Sequence, residues 1–326
     1  MIDLERVMRV VSDLVSIESV NPSLVPGGGG EERMAEYVSA LLASAGFDAQ
    51  LEKVSEGRFN ATGLLKGRRS GPRLMLNGHL DTVGAGGMEN PFLPRIENGR
   101  LYGRGALDMK GGIAAALLAG EYLAEERNFA GELLIAGVAD EEMESRGTRK
   151  LLEHTRADMA VVLEPTWLEV VAAHKGFAWA EIETQGCAAH GSRPDEGRDA
   201  IAFMGRVLNQ IEVLQSELSR RPVHPLLGHG SVHASLISGG QELSSYPASC
   251  KLSVERRLLP GEDATTLEAE IVSIIVQLRA RDPGFQAQYT MGYTAPALET
   301  PRPSPIAQHL LKCARKAVGP DARFGT

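Results

Sequence analysis

Four residues that could bind a divalent metal each follow a strand-like apolar run of this sequence. They are His79 in GHLDTV, Asp108 in GRGALDMKGG, Glu142 in ADEEMESRG and Glu164 in VLEPT. Any one of them alone is a weak signal. Together they indicate a hydrolase with two metal ions, since mixed histidine and carboxylate ligands suit zinc, with cobalt or manganese as alternatives.

The H-x-D spacing of His79 and Asp81 adds a second feature to this pattern. Asp81 is close enough in sequence to accept one imidazole N–H, which would fix the tautomer and leave the other nitrogen for a metal. The alternative is a loop histidine that is hydrogen-bonded to aspartate without any metal. The apolar run RLMLNG before His79 favours the metal interpretation.

Asp108 lies among glycines, which allow the backbone to turn sharply and to approach a ligand closely. A carboxylate in such a turn can bridge two cations. The alternative is an N-cap for the helix predicted to begin near Lys110, and both roles could hold together.

Three consecutive carboxylates, Asp140, Glu141 and Glu142, follow the apolar run LLIAGVA. They repel one another unless cations offset their charge. One glutamate would then bind a metal while its neighbour acts as general base, and a solvated acidic turn is the alternative. Glu164, which ends MAVVLE, would supply a further oxygen ligand unless it is a surface residue before Pro165.

Composition excludes several classes of partner. The 326 residues carry 43% hydrophobic and 23% charged residues, which are ordinary values for a globular protein. The net charge is −8 without a basic tract, so we expect neither nucleic acid nor a membrane as partner. Three distant cysteines without a C-x-x-C motif predict structural thiols and a cytoplasmic location.

The hydrophobic periodicity predicts two domains. Strands at 47–54, 60–66, 73–78, 132–139 and 159–163 alternate with helices at 4–17, 31–45, 110–126 and 146–154, which indicates an α/β sheet domain with functional residues at strand ends. A β-α-β-β-α-β unit follows, with strands at 176–185, 231–238, 248–257 and 285–292 and helices at 198–217 and 263–281. We therefore predict a catalytic domain from 1–174 and 294–326 and an inserted domain at 175–293.

The order of GHLDTV, GRGALDMKGG, ADEE, VLEPT, GCAAHGSRPDEGRDAI and ERRLLPGE resembles one zinc metallopeptidase family over nearly the whole chain. It is the family of acetylornithine deacetylase, succinyl-diaminopimelate desuccinylase, aminoacylase and glutamate carboxypeptidase. The resemblance implies a zinc-peptidase-like catalytic domain, an inserted α+β dimerisation domain, two zinc ions and a cis peptide bond after Asp108. It also implies site roles: His79 and Glu164 bind one zinc, Glu142 the other, Asp108 bridges them, Glu141 is the general base, and Asp81 orients His79.

Three residues of the inserted domain receive roles from the same resemblance. His190 in AAHGSRP would reach the active site of a partner subunit and stabilise the oxyanion, which implies a homodimer; a structural histidine near a turn is the alternative. Arg257 would bind the substrate carboxylate, while Arg256 could take a salt bridge. Ser244 stands where family members often carry asparagine, so the substrate subclass stays open.

The resemblance implies a two-zinc hydrolase that cleaves the amide bond of an N-acyl amino acid or small peptide with a free carboxylate, as acetylornithine deacetylase does. Glu141 would activate a zinc-bound water. Glutamate carboxypeptidase and dipeptidase activities are alternatives. The family's last ligand, a histidine near the C-terminus, is expected beyond Thr326. A non-catalytic dimerising or ligand-binding protein is therefore a further alternative.

Overall fold

The structure, a computed structural model, describes residues 3–326. The chain divides between Trp167 and Leu168 into two compact units, unit 1 and unit 2. Unit 1 contains α1 (Leu4–Ser16), α2 (Glu32–Ser44), β1 (Asp48–Ser55), β2 (Arg58–Lys66), β3 (Arg69–His79), β4 (Arg95–Glu97), β5 (Arg100–Tyr102), α3 (Gly111–Glu126), β6 (Ala130–Val138), α4 (Arg146–Leu152) and β7 (Met159–Val162).

The main sheet of unit 1 has the strand order β1-β2-β6-β3-β7. β3 is parallel to both β6 and β7, whereas β1 and β2 are antiparallel to their neighbours. Apolar residues of β6 alternate between two cores: Leu133 and Ile135 pack with α1, α2 and α3, while Leu134 and Ala136 pack on the side of α4. Burial on both faces explains why this strand is a continuous apolar run in the sequence.

Unit 2 contains β8 (Val170–Val171), β9 (Ala173–His174), β10 (Gly176–Gln185), α5 (Ala200–Leu218), β11 (Ser231–Gly239), β12 (Ser249–Leu258), α6 (Ala264–Arg281), β13 (Gln286–Ala295), β14 (Leu298–Glu299), α7 (Pro305–Val318) and β15 (Phe324–Gly325). Its antiparallel sheet has the order β11-β12-β10-β13. Alternate residues of β10, such as Ala178 and Ile182, are buried against α5 and α6. The predicted β-α-β-β-α-β unit is confirmed.

The sequence did not predict the short strands β4, β5, β8, β9, β14 and β15. Inside unit 2, β14 pairs with β9 and β15 pairs with β8, so 298–325 contacts 170–174. The grouping of 294–326 with 1–174 in one catalytic domain stays a prediction. Within the described part of the chain, every helix is too short or too polar to span a bilayer.

Candidate metal centre and active site

The carboxyl ends of three parallel strands bring the predicted metal ligands of unit 1 to one edge of the sheet. His79 ends β3, Glu141 and Glu142 follow β6, and Glu164 follows β7. The register places His79 opposite Val138 and Asn77 opposite Val162, so the three strands end at the same level. Open α/β sheets commonly place their sites outside this edge.

His79 is the centre of this cluster. Its Nε2 lies 3.0 Å from Oδ1 of Asp108, 3.8 Å from Oε1 of Glu164 and 4.0 Å from Oε2 of Glu141. Ligand atoms of His79, Asp108 and Glu164 lie within 4.8 Å of one another, close enough for one cation to be shared. Within residues 3–326, Glu142 is not part of a group that meets this distance.

The other imidazole nitrogen faces Asp81. Nδ1 of His79 lies 2.9 Å from the backbone oxygen of Asp81 and 3.5 Å from its Oδ1. Both neighbours are acceptors, so Nδ1 carries a proton. Nε2 faces the carboxylates, either as a second N–H donor to Asp108 in the imidazolium form or, in the neutral form, as the nitrogen that can bind a cation. Asp81 also accepts hydrogen bonds from the backbone N–H groups of Glu141 (3.1 Å) and Glu142 (3.2 Å). It therefore links the end of β3 to the acidic turn after β6.

Crowding of carboxylates shifts their protonation. Burial, together with repulsion from Glu141 and Asp108, raises the pKa of Glu164 to about 7. Burial likewise raises the pKa of Glu142. For His79, burial acts to lower the pKa, but hydrogen bonds to Asp108 and Asp81 outweigh it and raise the pKa to about 11.

The cluster therefore favours positive charge at its centre, which either a proton on His79 or a divalent cation can supply. One imidazole nitrogen with several carboxylate oxygens is a donor set that zinc, cobalt or manganese accepts. The residues present thus fit a metal, and their individual assignments as ligands stay predictions.

Asp108 lies in a π-helical turn, 106–110, that precedes α3. The peptide bond between Asp108 and Met109 is cis, as the resemblance implied. The N-cap residue of α3 is Lys110, and its side chain makes no capping hydrogen bond. Asp108 therefore does not have the alternative N-cap role.

Two buried neighbours anchor this turn. The sulfur of Met109 accepts a hydrogen bond from the backbone N–H of His79 at 3.2 Å. Nζ of Lys110 donates to the backbone oxygen of Ile17 at 2.7 Å, and burial lowers the pKa of Lys110 to about 7. Gly78 leaves the space that Met109 needs, since a Cβ there would lie 2.8 Å from the Met109 Cε.

A buried polar network holds the acidic turn that contains Asp140, Glu141 and Glu142. Asp140 is fully buried with a φ of 62°. Asn21 donates from Nδ2 to Asp81 (2.7 Å) and to Asp140 (3.1 Å). Arg58 donates through Nε and Nη2 to Glu31 and through Nη2 to Asp140 at 3.0 Å. The Asp140 N–H donates to Glu31 at 3.1 Å, so the network holds the backbone of the turn.

The roles of Asn21, Glu31 and Arg58 in this network have no signal in the sequence. Glu31 is the first residue of the helix predicted at 31–45, and its sequence position indicates no further role. Its partner Arg58 is 27 residues away, and Asp140 is 82 residues beyond Arg58. No local pattern signals a pairing over such separations.

In unit 2, His190 and Ser244 lie on two paired loops. The N–H of Gly191 donates to the backbone oxygen of Ser244 at 2.7 Å, and His190 forms a β-bridge with Ser245. The backbone N–H of Ser192 donates to Nδ1 of His190 at 3.2 Å. Nδ1 is therefore an acceptor, so neutral His190 carries its proton on Nε2 as a donor.

The two adjacent arginines have different environments. Arg256 is fully buried and donates to Glu262 at 2.9 Å and to Glu270 at 3.1 Å, so it takes the salt-bridge role. The Arg257 side chain is 44% exposed, with Nε bound to Oε1 of Glu255 at 2.6 Å. An exposed guanidinium can meet a ligand, whereas a buried and paired one cannot.

Comparisons with known proteins agree with this fold. An acetylornithine deacetylase of Myxococcus xanthus is 32% identical over 297 residues, covering 87% of this chain and 77% of that protein. A tripeptidase from Staphylococcus aureus has a similar structure, with a TM-score of 0.81 at 19% identity, over 100% of this chain and 85% of that one. A dinuclear metal binding peptidase from Bacillus subtilis gives 0.72 at 14% identity, over 99% and 82%.

The structural likenesses establish the fold alone, because their sequence identities are low. The family follows from the sequence: the model of peptidase family M20/M25/M40 matches residues 75–325, most of the chain. This match confirms the resemblance that the motifs indicated. The chain belongs to peptidase family M20/M25/M40 and is a hydrolase.

Proposed function

We propose that this hydrolase cleaves the amide bond of an N-acyl amino acid or small peptide that carries a free carboxylate, using two divalent metal ions. The observation that carries the proposal is the convergence of His79, Asp108 and Glu164, with Glu141 beside them, at one edge of the sheet. The name of the Myxococcus relative, acetylornithine deacetylase, supports an N-acyl amino acid as substrate. The Staphylococcus tripeptidase keeps a peptide substrate as the alternative.

His79, Asp108 and Glu164 would hold one metal ion, and Asp108 with Glu142 would contribute to the second. When bound, such a cation polarises the amide carbonyl and lowers the pKa of water. Zinc suits the mixed imidazole and carboxylate donors, with cobalt or manganese as substitutes. The Bacillus neighbour, described as a dinuclear metal binding peptidase, supports two ions.

Glu141 is the proposed general base. Its Oε2 lies at the cluster, 4.0 Å from Nε2 of His79, and its backbone is held by Asp81. The carboxylate would take a proton from the attacking water and return it to the amide nitrogen as the C–N bond breaks. Asp81 would keep His79 in the tautomer that presents Nε2 to the metal.

Unit 2 would supply the remaining contacts to the substrate. His190 would donate its Nε2–H to the carbonyl oxygen that becomes negative in the transition state, in the active site of a partner subunit. Arg257 would bind the substrate carboxylate as a fork. Ser244, whose loop is hydrogen-bonded to that of His190, would offer a short hydroxyl donor.

The edge of the unit 2 sheet supports a homodimer. β11 lies at this edge, and Leu236 and Ile237 on it are 72% and 56% exposed. Leu243, in the loop that follows, is fully exposed. An exposed apolar edge strand is a surface on which a second copy can add its own strand. The cytoplasmic location, with Cys187, Cys250 and Cys313 as free thiols, belongs to the same proposal.

Glu141→Gln tests the function most directly. Turnover of N-acetyl-ornithine, N-acetyl-methionine, a glutamate conjugate and a dipeptide should identify the substrate class in the unaltered enzyme. The variant should lose roughly 10²- to 10⁴-fold in kcat while its metal content, measured by elemental analysis, stays unchanged. Glu56→Gln, at an exposed site, is the matched control and should keep full activity.

Two outcomes would contradict the proposal. Retained turnover in Glu141→Gln would refute its role as general base. At most one metal per chain, with no turnover of any of the four substrates, would instead support the non-catalytic, ligand-binding alternative.

A further inference from the structure

The helix-free face of the unit 2 sheet carries three aromatic rings in mutual contact. Phe177 and Trp179 alternate along β10 with residues buried against α5 and α6, so they project from the opposite face. Ring centroids are 5.0 Å apart for Phe177–Trp179, 5.7 Å for Phe177–Tyr293 and 6.1 Å for Trp179–Tyr293. Trp179 remains 37% exposed. Such a cluster, partly open to solvent, is a preformed surface for an apolar group.

Arg257 belongs to the same face. It lies directly opposite Phe177 in the ladder between β10 and β12, and its Cζ is 5.5 Å from the Phe177 ring centroid. The guanidinium is thus placed beside the aromatic cluster by the register of the sheet. The atoms next to a carboxylate bound at Arg257 would therefore lie near the rings.

Glu255 orients the side chains of Trp179 and Arg257. It accepts a hydrogen bond from Nε1 of Trp179 at 2.9 Å and one from Nε of Arg257 at 2.6 Å. With Nε bound to Glu255, the guanidinium presents the edge formed by Nη1 and Nη2, which matches the two oxygens of a carboxylate. The charge of Glu255 is already compensated by Arg257, so it offers little attraction to a further cation.

We propose that Phe177, Trp179 and Tyr293 form, with Arg257, the surface that selects the amino-acid part of the substrate. The inference rests on the proposed function, because it uses Arg257 as the carboxylate site. The surface fits an amino acid with a free carboxylate and an apolar or aromatic side chain. A basic side chain would lose water at the rings, and the Arg257 guanidinium already lies over the Phe177 ring, so an ornithine-type substrate is disfavoured.

Competition between substrates tests this selectivity. The metal-loaded full chain should hydrolyse N-acetyl-L-methionine and N-acetyl-L-phenylalanine with at least about tenfold higher kcat/KM than N-acetyl-L-ornithine. Phe177→Ala should reduce that preference by about tenfold, mainly through KM. Tyr289→Phe, on the opposite face of the same sheet, is the matched control and should keep the preference.

A preference for N-acetyl-L-ornithine, or an unchanged ratio in Phe177→Ala, would overturn the inference while leaving the proposed function intact. Absence of any hydrolysis would be a failure of the proposed function, and the binding experiment that follows then decides the inference alone.

Fluorescence reports binding without turnover. The chain has two tryptophans, so Trp167→Phe leaves Trp179 as the sole tryptophan, and Glu141→Gln in the same protein prevents hydrolysis. N-acetyl-L-leucine should change the Trp179 emission saturably. N-acetyl-L-leucinamide, which lacks the carboxylate, and N-acetyl-L-ornithine should bind about tenfold more weakly or worse.

Arg257→Lys keeps the positive charge but loses the two parallel N–H donors of the guanidinium. The variant should bind N-acetyl-L-leucine as weakly as the unaltered site binds N-acetyl-L-leucinamide. A Trp179 emission that does not respond to N-acetyl-L-leucine, or that responds equally to all three probes, would overturn the inference.

Discussion

Replacement of Arg58 by methionine tests the buried network beneath the acidic turn. Arg58 is 4% exposed, and both of its carboxylate partners, Glu31 and Asp140, are fully buried. Its Nη2 lies 2.6 Å from Oε1 of Glu31 and 3.0 Å from Oδ1 of Asp140. Methionine fills much of the same space, so the change chiefly removes the positive charge and its hydrogen bonds.

The expected loss of stability is large because two buried carboxylates remain. Removal of one partner from a buried ion pair typically costs about 3–5 kcal/mol. That is a substantial share of the roughly 5–15 kcal/mol by which a domain is stable. Burial already raises the pKa of Glu31, and the hydrogen bond and charge of Arg58 oppose that shift.

The loss should depend on pH with a definite sign. Without Arg58, the pKa of Glu31 in the folded state rises further above its unfolded value. Between these two pKa values the folded variant holds a proton on Glu31 that the unfolded chain has released. The loss of stability caused by Arg58→Met is therefore largest above the pKa of Glu31 in the folded variant. It shrinks as the pH falls toward the pKa of Glu31 in the unfolded chain. The difference in free energy of unfolding between Arg58→Met and the unaltered protein should therefore become smaller on acidification.

Urea denaturation of the metal-free protein, followed by circular dichroism at about pH 8 and about pH 5.5, measures this gap. Glu31→Gln combined with Arg58→Met should recover part of the loss, since it removes the orphaned charge. Arg73→Met breaks the partly exposed pair with Glu132 and is the matched control, expected to cost no more than about 1 kcal/mol. A loss below about 1 kcal/mol at the higher pH, or a gap that widens on acidification, would refute the reasoning.

Three further predictions concern the site and the sheet edge. His190→Ala should lower kcat roughly 10²- to 10³-fold with little change in KM, and an unchanged kcat in steady-state assays would exclude the oxyanion role. Glu164→Gln should weaken metal binding at least about tenfold in calorimetric titration. It should also raise the Tm of the metal-free protein, because it removes one carboxylate from a crowded cluster, and a lower metal-free Tm would contradict this repulsion. Leu236→Lys should shift the sedimentation coefficient from dimer to monomer, whereas Leu298→Lys, an exposed apolar site on β14, should not. If Leu236→Lys remains a dimer, the dimer interface lies elsewhere on the chain.

The sequence by itself determined the longer helices and strands and their order. Apolar runs at 73–78, 132–139 and 159–163 correspond to β3, β6 and β7, and the β-α-β-β-α-β unit matches β10 to β13 with α5 and α6. These features are local, because side-chain periodicity and turn residues act within a few positions along the chain. The motif residues at the strand ends were visible for the same reason.

Only the tertiary structure decided which side chains meet. The strand order β1-β2-β6-β3-β7 differs from the order along the chain, and it brings Arg58 at the start of β2 to Asp140 after β6. Burial separated Arg256 from Arg257, two adjacent residues of equal charge whose strand positions point to opposite faces. The aromatic cluster likewise joins β10 to β13 through sheet register. Such pairings depend on how distant segments pack, and no short stretch of sequence contains that information.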